Sequence, residues 1–200
     1  MRNRVYEFLV AIVRPIAWLF FPYRLEGREN LPKDEPVLLC ANHSSGWDPV
    51  LIACSLGIGQ RMRVMSKKQL MDIPVLGWIL KKAGVFAVDR GNSDIVAVKT
   101  AIGSLKEGWS LLIFPEGTRL KKPQPELVKG GAAMIAIRSG VRMVPVFLTM
   151  EKKLFRRVRI VIGAPYSPVY TGRKGTAEEY QANAEEIMRQ IYALGDMEWK

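Results

Sequence analysis

The 200-residue chain contains one histidine, His43, and an aspartate, Asp48, follows it in HSSGWD, residues 43–48. Histidine is the side chain best suited to take a hydroxyl proton near neutral pH, since its ordinary pKa is about 6.5. A carboxylate that accepts a hydrogen bond from one ring nitrogen fixes the tautomer. It also leaves the other nitrogen free as a base and stabilises the imidazolium that forms. The same spacing fits a plainer arrangement, in which a loop histidine precedes an aspartate that caps a helix with Pro49 at its first position. No serine or cysteine motif elsewhere offers a better nucleophile, so a base here would act on a substrate hydroxyl.

Three further segments carry polar groups at the ends of apparent strands. In FPEGTR (114–119), Gly117 lets the backbone turn closely, and Thr118 and Arg119 can bind a phosphate or carboxylate, Arg119 bidentately. Glu116 can accept from substrate hydroxyls or pair with Arg119; the plainer reading of the segment is an ordinary loop. GVFAVDR (84–90) places Arg90 at the carboxyl end of a strand, where open α/β sheets bind ligands. SKKQL (66–70) places Lys67 and Lys68 similarly. A surface salt bridge and a solvated charge pair are the plainer readings of these two.

The elements that must position these groups follow from hydrophobic periodicity. VLLCA (37–41), RVMSK (63–67), VFAVD (85–89), WSLLIF (109–114), RMVPVFL (142–148) and RRVRIVIG (156–163) read as strands. One helix is expected from Pro49 to a stop at Gly57. A second carries Ile95, Val98, Ile102 and Leu105, with Asn92 or Ser93 as its cap and Gly108 at its end. The small-residue run GGAAMIAIRS (130–139) suits a helix packed closely on a sheet. A capping box, Thr176 with Glu179, opens a last helix with Tyr180, Ile187, Ile191 and Leu194 along one stripe. This alternation predicts an α/β domain, a central mixed sheet flanked by helices, over residues 27–200, with residues 1–26 as an N-terminal attachment.

That attachment is strongly apolar from Val5 to Tyr23 yet contains Glu7, Arg14 and Pro15. Arg14 would be costly in hydrocarbon, and Pro15 is expected to kink or break a helix. No small-residue cleavage site follows. The favoured reading is a helix pair lying in a membrane interface, with a spanning helix and a buried core helix as alternatives. The formal net charge of +11 calls for an anionic partner. No basic patch interleaves with aromatics, which argues against nucleic acid. Apolar residues at 48% and charged residues at 24% describe a folded domain. One histidine and two scattered cysteines, Cys40 and Cys54, support neither a disulfide framework nor a metal site.

The order of these segments, with VPV (144–146) after them, resembles the glycerophospholipid acyltransferase family from about Gly27 to Gly163, most closely its 1-acylglycerol-3-phosphate (lysophosphatidate) acyltransferases. The resemblance implies direct transfer of a fatty acyl group, with no cofactor, from acyl-CoA or acyl-carrier protein to the sn-2 hydroxyl of lysophosphatidate. The product is phosphatidate, for phospholipid biosynthesis. Another lysophospholipid or glycerol 3-phosphate is the alternative acceptor. His43 would be the base and Asp48 its support. Lys67, Arg90 and Arg119 would hold the acceptor phosphate, with Lys68 as a second candidate lysine. Glu116, Gly117 and Thr118 would shape the acceptor site. A loop amide near residues 44–46 is the candidate oxyanion donor, and Trp78, Ile79 and Leu80 are candidate tunnel residues. Anionic lipids would be partners, and the protein would sit peripherally or monotopically on the cytoplasmic side of the cell membrane. From another class, a non-catalytic basic membrane- or nucleic-acid-binding module would tolerate neutralisation of Asp48 and Glu116.

Overall fold

The computed structural model describes residues 4–57, 62–88 and 95–199, with the side chains of Lys67 and Val88 excluded. All six apolar runs read as strands form strands: β2 (Leu38–Ala41), β3 (Met62–Lys67), β4 (Val85–Val88), β5 (Ser110–Ile113), β6 (Met143–Leu148) and β7 (Val158–Ile162). A seventh, β1 (Tyr23–Glu26), was not anticipated. It is short and half-buried, and it pairs in parallel with β7 at the sheet edge. The order is β1-β7-β6-β2-β5-β3-β4. The run β6-β2-β5-β3-β4 is parallel throughout, and only β6 and β7 pair antiparallel, so the sheet is mixed as expected.

Both faces of this sheet are covered, which is the usual fate of parallel strands. Leu39 and Ala41 of β2 point into one core, shared with α1 (Arg4–Phe20) and α2 (Asp48–Leu56). Leu38 and Cys40 point into the other, under α5 (Ile95–Lys106), α6 (Gly131–Ser139) and α7 (Ala177–Ala193). Two short helices, α3 (Lys68–Met71) and α4 (Leu76–Lys82), lie between β3 and β4. The small residues around α6 serve a helix contact as well as the sheet: a Cβ on Gly130 would lie 2.9 Å from Tyr180 Cβ of α7. The Thr176–Glu179 capping box is formed, and α2 and α5 end near Gly57 and Gly108, both with positive φ. The expected caps Asn92 and Ser93 lie outside the described residues.

The N-terminal segment differs from expectation. Instead of a pair broken at Pro15, it is one 17-residue helix with Pro15 inside it. Its packing holds it together, because Val10 and Ala17 are buried and the helix lies against α2. No helix among the described residues is long and apolar enough to cross a membrane. Arg14 is exposed, and its Nε donates to the Tyr23 hydroxyl at 3.3 Å.

Candidate active site

The site forms where β2 and β5 end, at the carboxyl edge of the parallel strands, the edge at which open α/β sheets bind ligands. Just past β2, the buried Asn42 amide ties this edge together. Its Nδ2 donates to the Leu148 carbonyl at 2.9 Å, and its Oδ1 accepts from the Leu148 N–H at 2.8 Å. The next residue is His43, held from three sides by the 114–120 loop. Its N–H donates to Glu116 Oε2 at 2.8 Å, its carbonyl accepts from the Leu120 N–H at 2.7 Å, and its ring stacks on Phe114 at 4.2 Å. FPEGTR is therefore the cradle of the histidine.

His43 and Asp48 do meet. Nδ1 lies 2.9 Å from Asp48 Oδ2, with the aspartate fully buried and the histidine 6% exposed. The carboxylate makes Nδ1 the protonated nitrogen and leaves Nε2 as the basic one. Asp48 opens α2 but does not cap it. Its Oδ2 faces back and accepts from the N–H groups of Ser44 at 2.7 Å and Ser45 at 2.8 Å, so Trp47 stands at the cap without a side-chain bond. Those two amides are thereby occupied, which weakens their candidacy as oxyanion donors. Asp48 Oδ1 meets Lys152 Nζ at 2.6 Å. Burial raises the Asp48 carboxyl, but the His43 hydrogen bond, Lys152 and the Ser45 amide outweigh it and hold the group below the usual carboxylate range.

Glu116 stands behind this pair. It is buried, and both its oxygens already have protein donors, the His43 amide on Oε2 and the Tyr192 hydroxyl of α7 on Oε1. Burial pushes its carboxyl upward, and the nearby Asp48 charge adds to this; the two hydrogen bonds only partly offset them. Gly117 makes the exposed turn at φ 66°, and Thr118 and Arg119 reach a cavity of about 450 Å³. His43 and Gly46 line the same cavity, and the rest of the wall is mainly apolar: Leu9, Val10 and Val13 of α1, Val50 and Ala53 of α2, and Leu80 of α4. Trp78, by contrast, is 64% exposed and is not in that wall. Lys67 ends β3 next to Ser66, which lines the cavity; Arg90 lies outside the described residues. Lys68 is exposed at the start of α3.

A family described as "Acyltransferase" matches residues 23–149, well over half of the chain. The chain belongs to the acyltransferase family. Among relatives, a 1-acyl-sn-glycerol-3-phosphate acyltransferase of Bacillus subtilis is 31% identical over 95% of this acyltransferase and 96% of its own length. The chloroplastic 1-acyl-sn-glycerol-3-phosphate acyltransferase of Arabidopsis thaliana is 33% identical over 76% of the chain, which spans only 43% of that longer protein. A crystal structure titled as the 1-acyl-sn-glycerophosphate acyltransferase PlsC of Thermotoga maritima superposes with a TM-score of 0.74 at 26% identity, covering 100% of this chain and 85% of that one.

In an acyltransferase the arrangement has a direct use. The His43 imidazole, backed by a carboxylate, opens on an apolar cavity with a guanidinium at the same wall. Sequence reasoning missed Lys152, Asn42 and Tyr192. Lys152 sits in a Lys152-Lys153 pair that looks solvated. The Glu116–Tyr192 contact spans 76 positions and has no local signature.

Proposed function

We propose that this acyltransferase moves a fatty acyl group from acyl-CoA or acyl-carrier protein to the sn-2 hydroxyl of 1-acylglycerol 3-phosphate. The observation that carries the proposal is that His43, backed by Asp48, and Arg119 line one apolar cavity. Its volume lies within the usual range of ligand pockets, about 300–1,000 Å³. The acceptor hydroxyl gives its proton to His43 Nε2 as its oxygen attacks the thioester carbonyl. The tetrahedral intermediate then collapses and expels the thiolate, which takes the proton back from Nε2. Asp48 stabilises the imidazolium between the two transfers. No acyl-enzyme is formed. Arg119 grips the acceptor phosphate, with Lys67 and Arg90 as further candidate cations. Glu116 acts by holding the His43 backbone, and Gly117 and Thr118 shape the rim.

The reading is tested by offering the purified protein lysophosphatidate, other lysophospholipids and glycerol 3-phosphate, each with acyl-CoA and with acyl-carrier protein, and identifying products by mass spectrometry. Phosphatidate should dominate; a preference for another acceptor moves the assignment, and no acylated product rejects it. Arg119→Ala should lower kcat/KM for the phosphorylated acceptor by about 10- to 100-fold, the loss of a charge-assisted hydrogen bond worth roughly 1.5–3 kcal/mol. An unchanged kcat/KM would remove Arg119 from the phosphate site.

Membrane association is part of the same proposal. Helix α1 carries two apolar stripes. One lines the cavity, and the other, with Phe8 at 65%, Ile12 at 47% and Leu19 at 59% exposure, lies largely open among the described residues. Leu154 and Phe155 of the β6–β7 loop extend this face, and the Phe155 N–H donates to the Phe20 carbonyl at 2.7 Å. The proposed cover is the anionic bilayer that holds acceptor and product, with the active site on the cytoplasmic side. Replacing Phe8 and Ile12 together with serine should weaken binding to anionic vesicles at least about 100-fold, since each large apolar side chain contributes roughly 1.5–3 kcal/mol when buried. Vesicle co-sedimentation reads the loss, and turnover of a short-chain, water-soluble acceptor should survive it.

A further inference from the structure

The β6–β7 loop brings a buried cation to the His43–Asp48 pair, and no step of the transfer uses it. The Lys152 side chain is 3% exposed. Its Nζ contacts Asp48 Oδ1 at 2.6 Å, Ser44 Oγ at 2.8 Å and the Thr149 carbonyl at 2.6 Å. Two of these contacts are hydrogen bonds and the one to Asp48 is an ion pair, so the ammonium is engaged by the protein on three sides and turned away from any substrate phosphate. Ser44 closes a small ring of contacts, because its amide donates to Asp48 Oδ2 while its hydroxyl accepts from Lys152.

We propose that Lys152 is a positioning residue for the catalytic pair: it clamps Asp48 Oδ1 so that Oδ2 is aimed at His43, and it offsets the aspartate's charge so that the ring stays free to accept a proton. The physical problem it answers is general. An uncompensated carboxylate at hydrogen-bond distance favours the protonated imidazole, and an imidazolium cannot act as a base. A cation on the far oxygen keeps the orienting hydrogen bond and cancels part of that attraction. Among the described residues, the other titratable groups around the ring are Glu116 and Arg119 from the β5–α6 loop, Tyr192 behind Glu116, and Tyr6 and Cys54 across the cavity. Burial pushes Tyr6 up to about 12 and Cys54 up to about 11, so both are neutral in the working range. Lys152 is the cation paired directly with Asp48, opposite the oxygen that faces the ring.

The inference rests on His43 being the base, but its test does not need turnover. His43 is the chain's one histidine, so tag-free protein gives a single imidazole signal by NMR. In Lys152→Gln, the ring's titration midpoint should move to higher pH than in the parent by about one unit, the scale of a close charge effect. The acid limb of kcat/KM should move with it, giving a roughly tenfold loss below the limb. Lys152→Met, apolar and of similar length, is the second variant and should show the same shift. Lys152→Arg, which keeps the charge, should titrate like the parent. An unmoved midpoint in a folded Gln or Met variant overturns the proposal. Failure of both to fold also overturns it, in favour of an ion pair needed only for stability. A shifted midpoint in the variants, together with a parent that acylates nothing, leaves the clamp standing and rejects the catalytic role of the pair instead.

Discussion

Replacing His43 with alanine is expected to lower kcat by about 10²- to 10⁴-fold, the range that a positioned general base contributes, equivalent to roughly 3–5 kcal/mol of barrier. The variant should still fold. Glu116 and Leu120 bond the backbone of residue 43 and not its ring, so those contacts survive the substitution. Asp48 loses one donor but keeps the Ser44 and Ser45 amides and Lys152. What disappears is the stack on Phe114 and one buried hydrogen bond, a stability loss of about 1–3 kcal/mol. KM for the acceptor should change little, because the base acts mainly in the transition state. Steady-state kinetics with calorimetric melting separates the outcomes. A variant that melts near the parent and keeps full activity ends the assignment of His43 as base.

What could be read from the chain depended on how locally each feature is encoded. The interior strands announce themselves because each is a short apolar run buried on one or both faces, as in LLCA of β2 and MVPVFL of β6. The His43–Asp48 contact is legible for the same reason, since both residues lie in one loop. Edge strand β1 offers no such run: its four residues, YRLE, alternate uncharged with charged and are at best half-buried. The local rule for Asp48 named its own helix as partner, but the donors on the preceding loop were better placed and took the carboxylate. Lys152 shows the limit most plainly. Its neighbour Lys153 is exposed and pairs with Glu151 at 3.3 Å, while Lys152 is buried on an aspartate that follows the neighbouring strand β2, more than 100 positions away in sequence. Two identical residues side by side meet opposite fates, decided only by which way the loop turns after β6. Glu116 was open to two readings, an acceptor for substrate hydroxyls or a partner for Arg119. It turns inward because Tyr192, presented by α7, lies behind it.

Asp48→Asn should damage both activity and stability, and the reason lies in what an amide can and cannot offer. The carboxylate uses both oxygens: Oδ2 meets three donors and Oδ1 pairs with the ammonium. An amide accepts on one side only. If its oxygen faces Lys152, its NH₂ confronts the Ser44 and Ser45 amides and forces His43 Nδ1 to become an acceptor. The proton then sits on Nε2, which cannot serve as base. Turned the other way, the NH₂ faces the Lys152 ammonium, donor against donor. Either orientation leaves a buried charge without its partner, a loss of about 3–5 kcal/mol, and the wrong-tautomer branch predicts a kcat loss of about 10³- to 10⁴-fold. The pH dependence gives the argument a signature. In the parent, the Asp48 carboxyl is held below its ordinary value of about 3.9, so it contributes stability above that pH that is lost as pH falls through its folded value. The stability gap between parent and variant should therefore narrow in acid. Burial already lowers the Lys152 ammonium, and without Asp48 it should fall further. The variant's folded state then binds fewer protons than its unfolded state, and its stability should rise with pH until the unfolded lysine itself titrates near 10.4. Adding Lys152→Gln to Asp48→Asn should restore stability by removing the stranded charge without restoring turnover. Such a double-mutant cycle separates the structural share of the ion pair from its service to the histidine.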